Sequence, residues 1–326
     1  IMPSGGLAEF QRSQPGIELD IDKTATEIAT AIGERLRHDV GIVERLSLAL
    51  TQVEADITTK EVGTLGITEM LGSGASKFGG SPINRIKNIR NGVLKLNGLL
   101  LKPGDEFSTV QYTQPYTLEG GYLPELVIKG NEFKPEIGGG LCQIGTTLFR
   151  MAMNSGLVIT ERRNHSLVVP YYNDLENNLP GTDATIYDPA PDFKFRNDTE
   201  NFVLIEAKMD EKKGILTFTL WGTKDGRKGW YSAPVVRKWI DPGEAKTVFT
   251  DTLPPGEKKC QKAYRGAQAS FTYYRQQPDG TVEKQVFDSY YRPLPEICLV
   301  GAATPESTTP TSTDSLIGPT TSTVSS

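Results

Sequence analysis

Apolar positions along the chain change their period several times, and each change predicts an element. Residues 17–22 alternate apolar and acidic side chains, as a half-buried strand does, and 24–36 then place Ile28, Ala31, Ile32 and Leu36 at helical spacing. A short strand is expected near 46–53, and Thr58-Thr59-Lys60-Glu61 before Val62 has the form of a helix start. The Gly/Ser/Lys stretch at 72–80 reads as a boundary. A helix is expected over 84–96, with Ile86, Ile89, Val93 and Leu96 on one face and Asn97-Gly98 as its stop. A strand at 99–101 and a Pro103-Gly104-Asp105 turn lead into a loop-rich passage. Phe107, Tyr112, Tyr116 and Tyr122 punctuate it, and such aromatics either floor a cleft or simply pack.

Residues 144–157 carry apolar side chains spaced for one central helix. Strands are expected after it at 157–160, 167–169, 182–187, 194–195, 202–207 and 215–221, an α+β arrangement. From about Trp230 the pattern is all strand, with Pro278-Asp279-Gly280 as a hairpin turn between 268–274 and 281–286. Residues 302–326 are Ser, Thr and Pro with almost nothing apolar, the composition of a disordered linker or wall-spanning stalk. The expected division is therefore 1–68, 69–224, a small β-rich module at 230–301, and the tail.

A net charge of −5 with no basic block excludes a general nucleic-acid binder. No apolar run is long enough to span a bilayer. The opening Ile1-Met2-Pro3 reads as a cut from a longer precursor, so membrane attachment is expected only through an anchor outside this chain. Of the three cysteines, Cys260 and Cys298 lie in strand-rich sequence 298 − 260 = 38 residues apart. Pairing them closes a loop whose entropy is worth about 4 kcal/mol and suits an extracytoplasmic, oxidising setting. The alternative is two buried free thiols.

Cys142 follows Gly138-Gly139-Gly140-Leu141 and opens the central helix. Unpaired amides and the positive helix end favour a thiolate there. Lowering a thiol from about 8.5 to about 6 takes roughly 3 kcal/mol, of which the helix end supplies a fraction and an imidazolium the rest. The chain has two histidines. His38 sits between charged neighbours as a surface residue, while His165 lies in the unusual cluster Arg162-Arg163-Asn164-His165-Ser166. Cys142 with His165 is the minimal set for thiol nucleophilic catalysis, and a cysteine that only packs is the alternative. Scattered cysteines and two histidines lack the spacing of a metal site, and no Lys-Ser/Thr follows the glycines as a phosphate loop requires. No metal or cofactor is expected.

The glycine-cysteine stretch, with Arg85, Asn88-Ile89, Asn97-Gly98, Pro103-Gly104, Phe107-Ser108, Gly121-Tyr122, Thr146-Thr147-Leu148, Glu161-Arg162, His165-Ser166, Gly181, Asp183-Ala184-Thr185, Asp192, Phe195 and Asn197, resembles the VanW family of Gram-positive-type cell-envelope proteins over roughly residues 70–222. The segment 16–62 resembles a peptidoglycan-binding-like module. The resemblance implies a peptidoglycan L,D-transpeptidase: Cys142 attacks a stem tetrapeptide, expels D-Ala, and passes the acyl group to the amine of a second stem. On that reading His165 relays the proton, and Asp183 orients it by analogy with other thiol enzymes. Gly139, Gly140, Leu141 and Gln143 border the oxyanion, Tyr122 lies on the substrate side, and Arg162 meets a substrate carboxylate or is a surface cation. Two other outcomes stay beside it, a Cys-His wall-peptide endopeptidase or amidase that sends water as acceptor, and a non-catalytic wall-binding or adhesive protein. Asn164 and the passage 171–180 depart from the family pattern, so the pocket there is expected to differ.

Overall fold

The computed structural model describes residues 16–38, 45, 47–53, 65–129, 132–251 and 253–301. The expectations for a helix near Thr58 and a disordered tail at 302–326 lie outside these residues. In chain order the elements begin with β1 (Gly16–Leu19), α1 (Ile21–His38), β2 (Leu50–Val53), β3 (Glu69–Lys77), α2 (Ile83–Leu96), β4 (Leu99–Leu101), β5 (Glu106–Ser108) and α3 (Thr109–Thr113). Next come β6 (Pro124–Lys129), β7 (Glu132–Ile137), α4 (Cys142–Asn154), β8 (Val158–Glu161), β9 (Lys194–Arg196), β10 (Val203–Asp210) and β11 (Ile215–Gly222). The last strands are β12 (Lys228–Tyr231), β13 (Val235–Ile240), β14 (Lys246–Thr250), β15 (Lys258–Gln261), β16 (Gly266–Gln276), β17 (Val282–Tyr291) and β18 (Ile297–Gly301). The mixture of helices with largely antiparallel sheets is the expected α+β class.

The chain divides into two compact units, Ile1–Asp241 with Arg265–Pro293, and Pro242–Tyr264 with Leu294–Ser326. In the first, α4 is the buried axis: Ile144, Leu148, Phe149, Met151, Ala152 and Met153 are all fully buried. A four-stranded antiparallel sheet in the order β3-β11-β10-β4 lies against it. The glycine-rich stretch expected to be a boundary is part of that sheet, as strand β3. Its small residues are what let helix and sheet approach: a Cβ added at Gly74 would sit 2.3 Å from the Met151 nitrogen and 2.4 Å from the Thr147 oxygen. The expected 84–96 helix is α2, which turns Arg85, Asn88, Ile89, Gly92, Val93 and Leu96 inward at helical spacing. In α1, by contrast, the apolar positions Ile28, Ile32 and Leu36 remain exposed.

Two expected strands, 167–169 and 182–187, form no strand in the structure. The backbone of 182–185 is satisfied elsewhere. Thr146 Oγ1 donates to the Ala184 carbonyl at 3.1 Å and accepts from the Ala184 amide at 3.1 Å, and the Thr185 amide donates to the Arg163 carbonyl at 2.8 Å. The fully buried Arg150 of α4 donates to the carbonyls of Ala75, Tyr172, Asn173 and Thr182. One side chain thereby clamps β3 and the 172–182 passage onto the helix.

The expected 230–301 module is split. Strands β12, β13, β16 and β17 belong to the first unit, because Phe271, Tyr273 and Phe287 enter the same core as Phe149. The second unit holds β14, parallel to β18, and β15, antiparallel to it. Cys260 and Cys298 face each other across β15 and β18 and form the expected disulfide, with a sequence separation of 38. Among the described residues no helix is long and apolar enough to cross a membrane.

Candidate active site

The turn before α4 depends on glycine. Gly138 and Gly140 hold φ of +87° and +113°, and a Cβ at Gly140 would lie 2.7 Å from Arg85 Cγ. Leu141 precedes the helix without a side-chain cap, so the opening amides of α4 depend on the turn or on a ligand. Leu141 donates to the Gly138 carbonyl and Gln143 to the Gly140 carbonyl, whereas among the described residues the Cys142 amide has no backbone acceptor. Cys142 is half-buried, with its sulfur 3.4 Å from both Thr185 Oγ1 and the Ile186 carbonyl. It lines a cavity of about 1090 Å³ together with Gly138 to Leu141, Arg85, Tyr116, His165, Tyr171, Tyr172 and Arg292.

His165 is 8% exposed and lines the same cavity. Its Nδ1 lies 2.6 Å from Asp183 Oδ2, and its backbone amide donates to that same oxygen at 2.8 Å. The imidazole stacks on Tyr172 with 4.4 Å between ring centres. Its Nε2 is buried and makes no other hydrogen bond among the described residues besides its interaction with the Cys142 sulfur. The Asp183 carbonyl accepts from Arg162 Nε at 2.8 Å, and Oδ1 accepts from the Tyr291 hydroxyl and, at 3.3 Å, from Arg162 Nη2.

The charges follow from this geometry. Burial by itself would raise the Cys142 thiol, but the His165 charge, with hydrogen bonding to His165, Thr185 and Ile186, brings it down to about 7. Burial would lower the His165 imidazolium, yet Cys142 and Asp183 raise it to about 9. For Asp183, burial is outweighed by hydrogen bonds from His165 and by the His165 and Arg162 charges, which hold the carboxyl well below its usual range. Between the first two values the favoured state is a thiolate beside an imidazolium, and the two groups titrate as a pair.

Three residues expected on the substrate side sit elsewhere. Arg162 is 3% exposed at its side chain, and its nitrogens go to Asp183, to the Gly181 carbonyl at 2.7 Å and to Ser289 Oγ at 3.0 Å. It braces the carboxylate from behind, leaving no bidentate face for substrate. Tyr122 is fully buried, donates to the Thr113 carbonyl and packs edge-on against Tyr116. The Gln143 backbone amide, expected at the oxyanion, donates to the Gly140 carbonyl at 3.0 Å, and its side chain turns into the protein, donating to Ser76 Oγ and accepting from Arg85 Nη2 at 2.7 Å. Gly139, Gly140 and Leu141 do border the cavity. Residues that the sequence did not single out for the site are Arg85, Tyr172, Thr185 and Tyr291. Arg85 spans Gln143 and Tyr172 and lies over the Tyr171 ring at 4.5 Å. Its position three residues into an amphipathic helix, facing in, was the available signal.

A Cys-His-Asp set at the mouth of a glycine turn, on an α+β core built round one buried helix, defines the class of domain. Residues 84–221 match the family model described as VanW like protein. It is 33% identical over 150 residues to the uncharacterized protein YoaR of Bacillus subtilis (strain 168), a match covering 46% of this chain and 48% of the relative. It is 31% identical over 132 residues to the vancomycin B-type resistance protein VanW of Enterococcus faecalis (strain ATCC 700802 / V583), covering 40% of this chain and 48% of the relative. The matches thus span about half the length of these curated relatives, and the matched family segment does not include the peptidoglycan-binding-like resemblance at 16–62.

Proposed function

We propose that this protein is a cell-wall-associated L,D-transpeptidase that cross-links peptidoglycan stem peptides through a thioester on Cys142. The observation that carries the reading is the Cys142–His165 pair on one cavity: the imidazole is fixed at Nδ1 by Asp183, and its charge and hydrogen bonding bring the Cys142 thiol down to about 7 against the effect of burial.

The thiolate attacks the carbonyl carbon after the L-centre of the donor diaminopimelate, and the Cys142 amide at the helix opening faces the developing oxyanion. The imidazolium gives its proton to the departing D-Ala nitrogen as the C–N bond breaks, leaving a thioester and neutral His165. The acceptor amine then attacks the thioester and His165 takes its proton. An amide forms, and the thiolate and imidazolium are restored. A cavity of about 1090 Å³ exceeds what one small ligand needs, which supports room for donor and acceptor together. The disulfide and the match to a protein named for vancomycin resistance support a setting at the wall.

Incubation with tetrapeptide muropeptides followed by mass spectrometry tests the reading. A cross-linked dimer, with loss of one D-Ala, is the expected product. Hydrolysed tripeptide alone makes the protein a thiol hydrolase of the carboxypeptidase kind, with water as acceptor, and unchanged substrate with an inert Cys142 makes it a non-catalytic wall protein.

A further inference from the structure

The hairpin of β16 and β17 lies outside the family-matched residues 84–221, yet it meets the site at four points. The Tyr291 hydroxyl donates to Asp183 Oδ1, Ser289 Oγ accepts from Arg162 Nη1 at 3.0 Å, the Tyr290 carbonyl accepts from Asn164 Nδ2 at 2.9 Å, and the Arg292 amide donates to the Ser166 carbonyl at 2.8 Å. Tyr291 is 1% exposed, and Tyr290 and Arg292 line the cavity. All four contacts fall on the 162–166 cluster or its carboxylate partner. Three of the hairpin's rings, Phe271, Tyr273 and Phe287, are anchored in the α4 core, so the donor is presented from a rigid element.

We propose that this hairpin is a working part of the site and that Tyr291 is a positioning residue, its hydroxyl fixing one Asp183 oxygen so that the other stays on His165. The inference rests on the thiol-enzyme reading given above. A carboxylate held at one oxygen only is free to turn about its Cβ–Cγ bond. Without the phenol, Oδ1 keeps only the Arg162 contact at 3.3 Å, a long one. The imidazolium then loses part of its oriented counter-charge, and the thiolate loses part of its own. The other titratable groups facing this set are Arg85, Tyr116 and Tyr172 around the sulfur, and Arg150 and Arg162 around the carboxylate. A conservative Tyr-to-Phe change leaves all of them in place.

The experiment measures, on the full chain with its disulfide intact, the rate of Cys142 alkylation by iodoacetamide against pH, beside kcat and KM for muropeptide turnover. Cys142 is the one free cysteine, so the label reports that sulfur alone. The parent midpoint is expected near pH 7. Tyr291→Phe is expected to raise it by roughly one unit and to lower kcat roughly tenfold with KM nearly unchanged. Ser289→Ala, which frees one Arg162 nitrogen, is expected to shift both in the same direction by less. Tyr274→Phe, on the same hairpin but stacked on Trp230, is expected to change neither. If Tyr291→Phe folds with the parent melting temperature and keeps the parent midpoint and kcat, the positioning role is overturned. Should Tyr291→Phe fail to fold, an unchanged midpoint in Ser289→Ala overturns it instead. An ordinary thiol midpoint in the parent itself, near about 8.5, overturns the enzyme reading and this inference with it.

Discussion

Two buried polar clusters lie on α4, and they are finished to different degrees. Around Arg150, every guanidinium nitrogen donates to an oxygen within the protein. Around Cys142, the carboxylate of Asp183 is fully engaged, while the imidazole's second nitrogen is left to the Cys142 sulfur on the open cavity. A charged side chain in the first cluster sets where the 172–182 passage runs; the second turns its thiol and imidazole toward a cavity.

The largest effect expected of that contrast is on the sulfur. Cys142→Ala should lose cross-linking by on the order of a thousandfold or more while the melting temperature holds, since a half-buried small side chain is removed. Muropeptide turnover and a thermal melt check it, and residual turnover close to the parent would put the chemistry elsewhere. His165→Gln comes next, with turnover down by about a hundredfold or more and the alkylation midpoint displaced upward toward an ordinary thiol, because the compensating charge has gone.

Acidity should sharpen the comparison from another side. Turnover is expected to rise through about pH 7 as the thiolate forms and to fall through about pH 9 as the imidazolium is lost. Stability follows the linked signs. The raised folded value of His165 makes its contribution complete below its unfolded value of about 6.5 and lost as pH climbs through about 9. The depressed Asp183 contributes above its unfolded value of about 3.9, and that contribution drains away as pH falls below it. Denaturant melts from pH 3 to 10 would show a plateau between those limits, and a stability maximum outside it would contradict the assignment.

Arg150→Met should do the reverse of Cys142→Ala. It is expected to cost about 3 kcal/mol of stability, by orphaning several buried carbonyls, yet to leave the alkylation midpoint of the folded fraction in place. A moved midpoint with unchanged stability would merge the two clusters into one. The smallest change is Gly74→Ala, at about 2 kcal/mol, because the added methyl meets the helix backbone rather than a movable side chain.

Much of this architecture could be read in the chain. The helix at Cys142, the 83–96 helix, the late hairpin and the disulfide all announce themselves by local period, turn chemistry or cysteine placement. Strand β3 did not, because its message is carried by absent side chains: Gly72 and Gly74 signal close packing only once the partner helix is known. The run at 182–187 looked like a strand because its composition is that of one, while its hydrogen-bond partners turned out to be threonine and arginine side chains and a loop carbonyl. Asp183 could be nominated as a neighbour of His165, but what secures it could not. Tyr291 is 108 residues further along, in a stretch whose alternation says only that it is a strand. Arg162 misled in the opposite way, since a cation near a histidine carries no mark of whether it points toward solvent or toward a buried acid.

The bridge between Cys260 and Cys298 encircles the entire β16–β17 span within a closed ring of the covalent chain. Anyone purifying the protein with a strong reductant to keep its free thiol reduced would therefore be cutting that ring at the same moment.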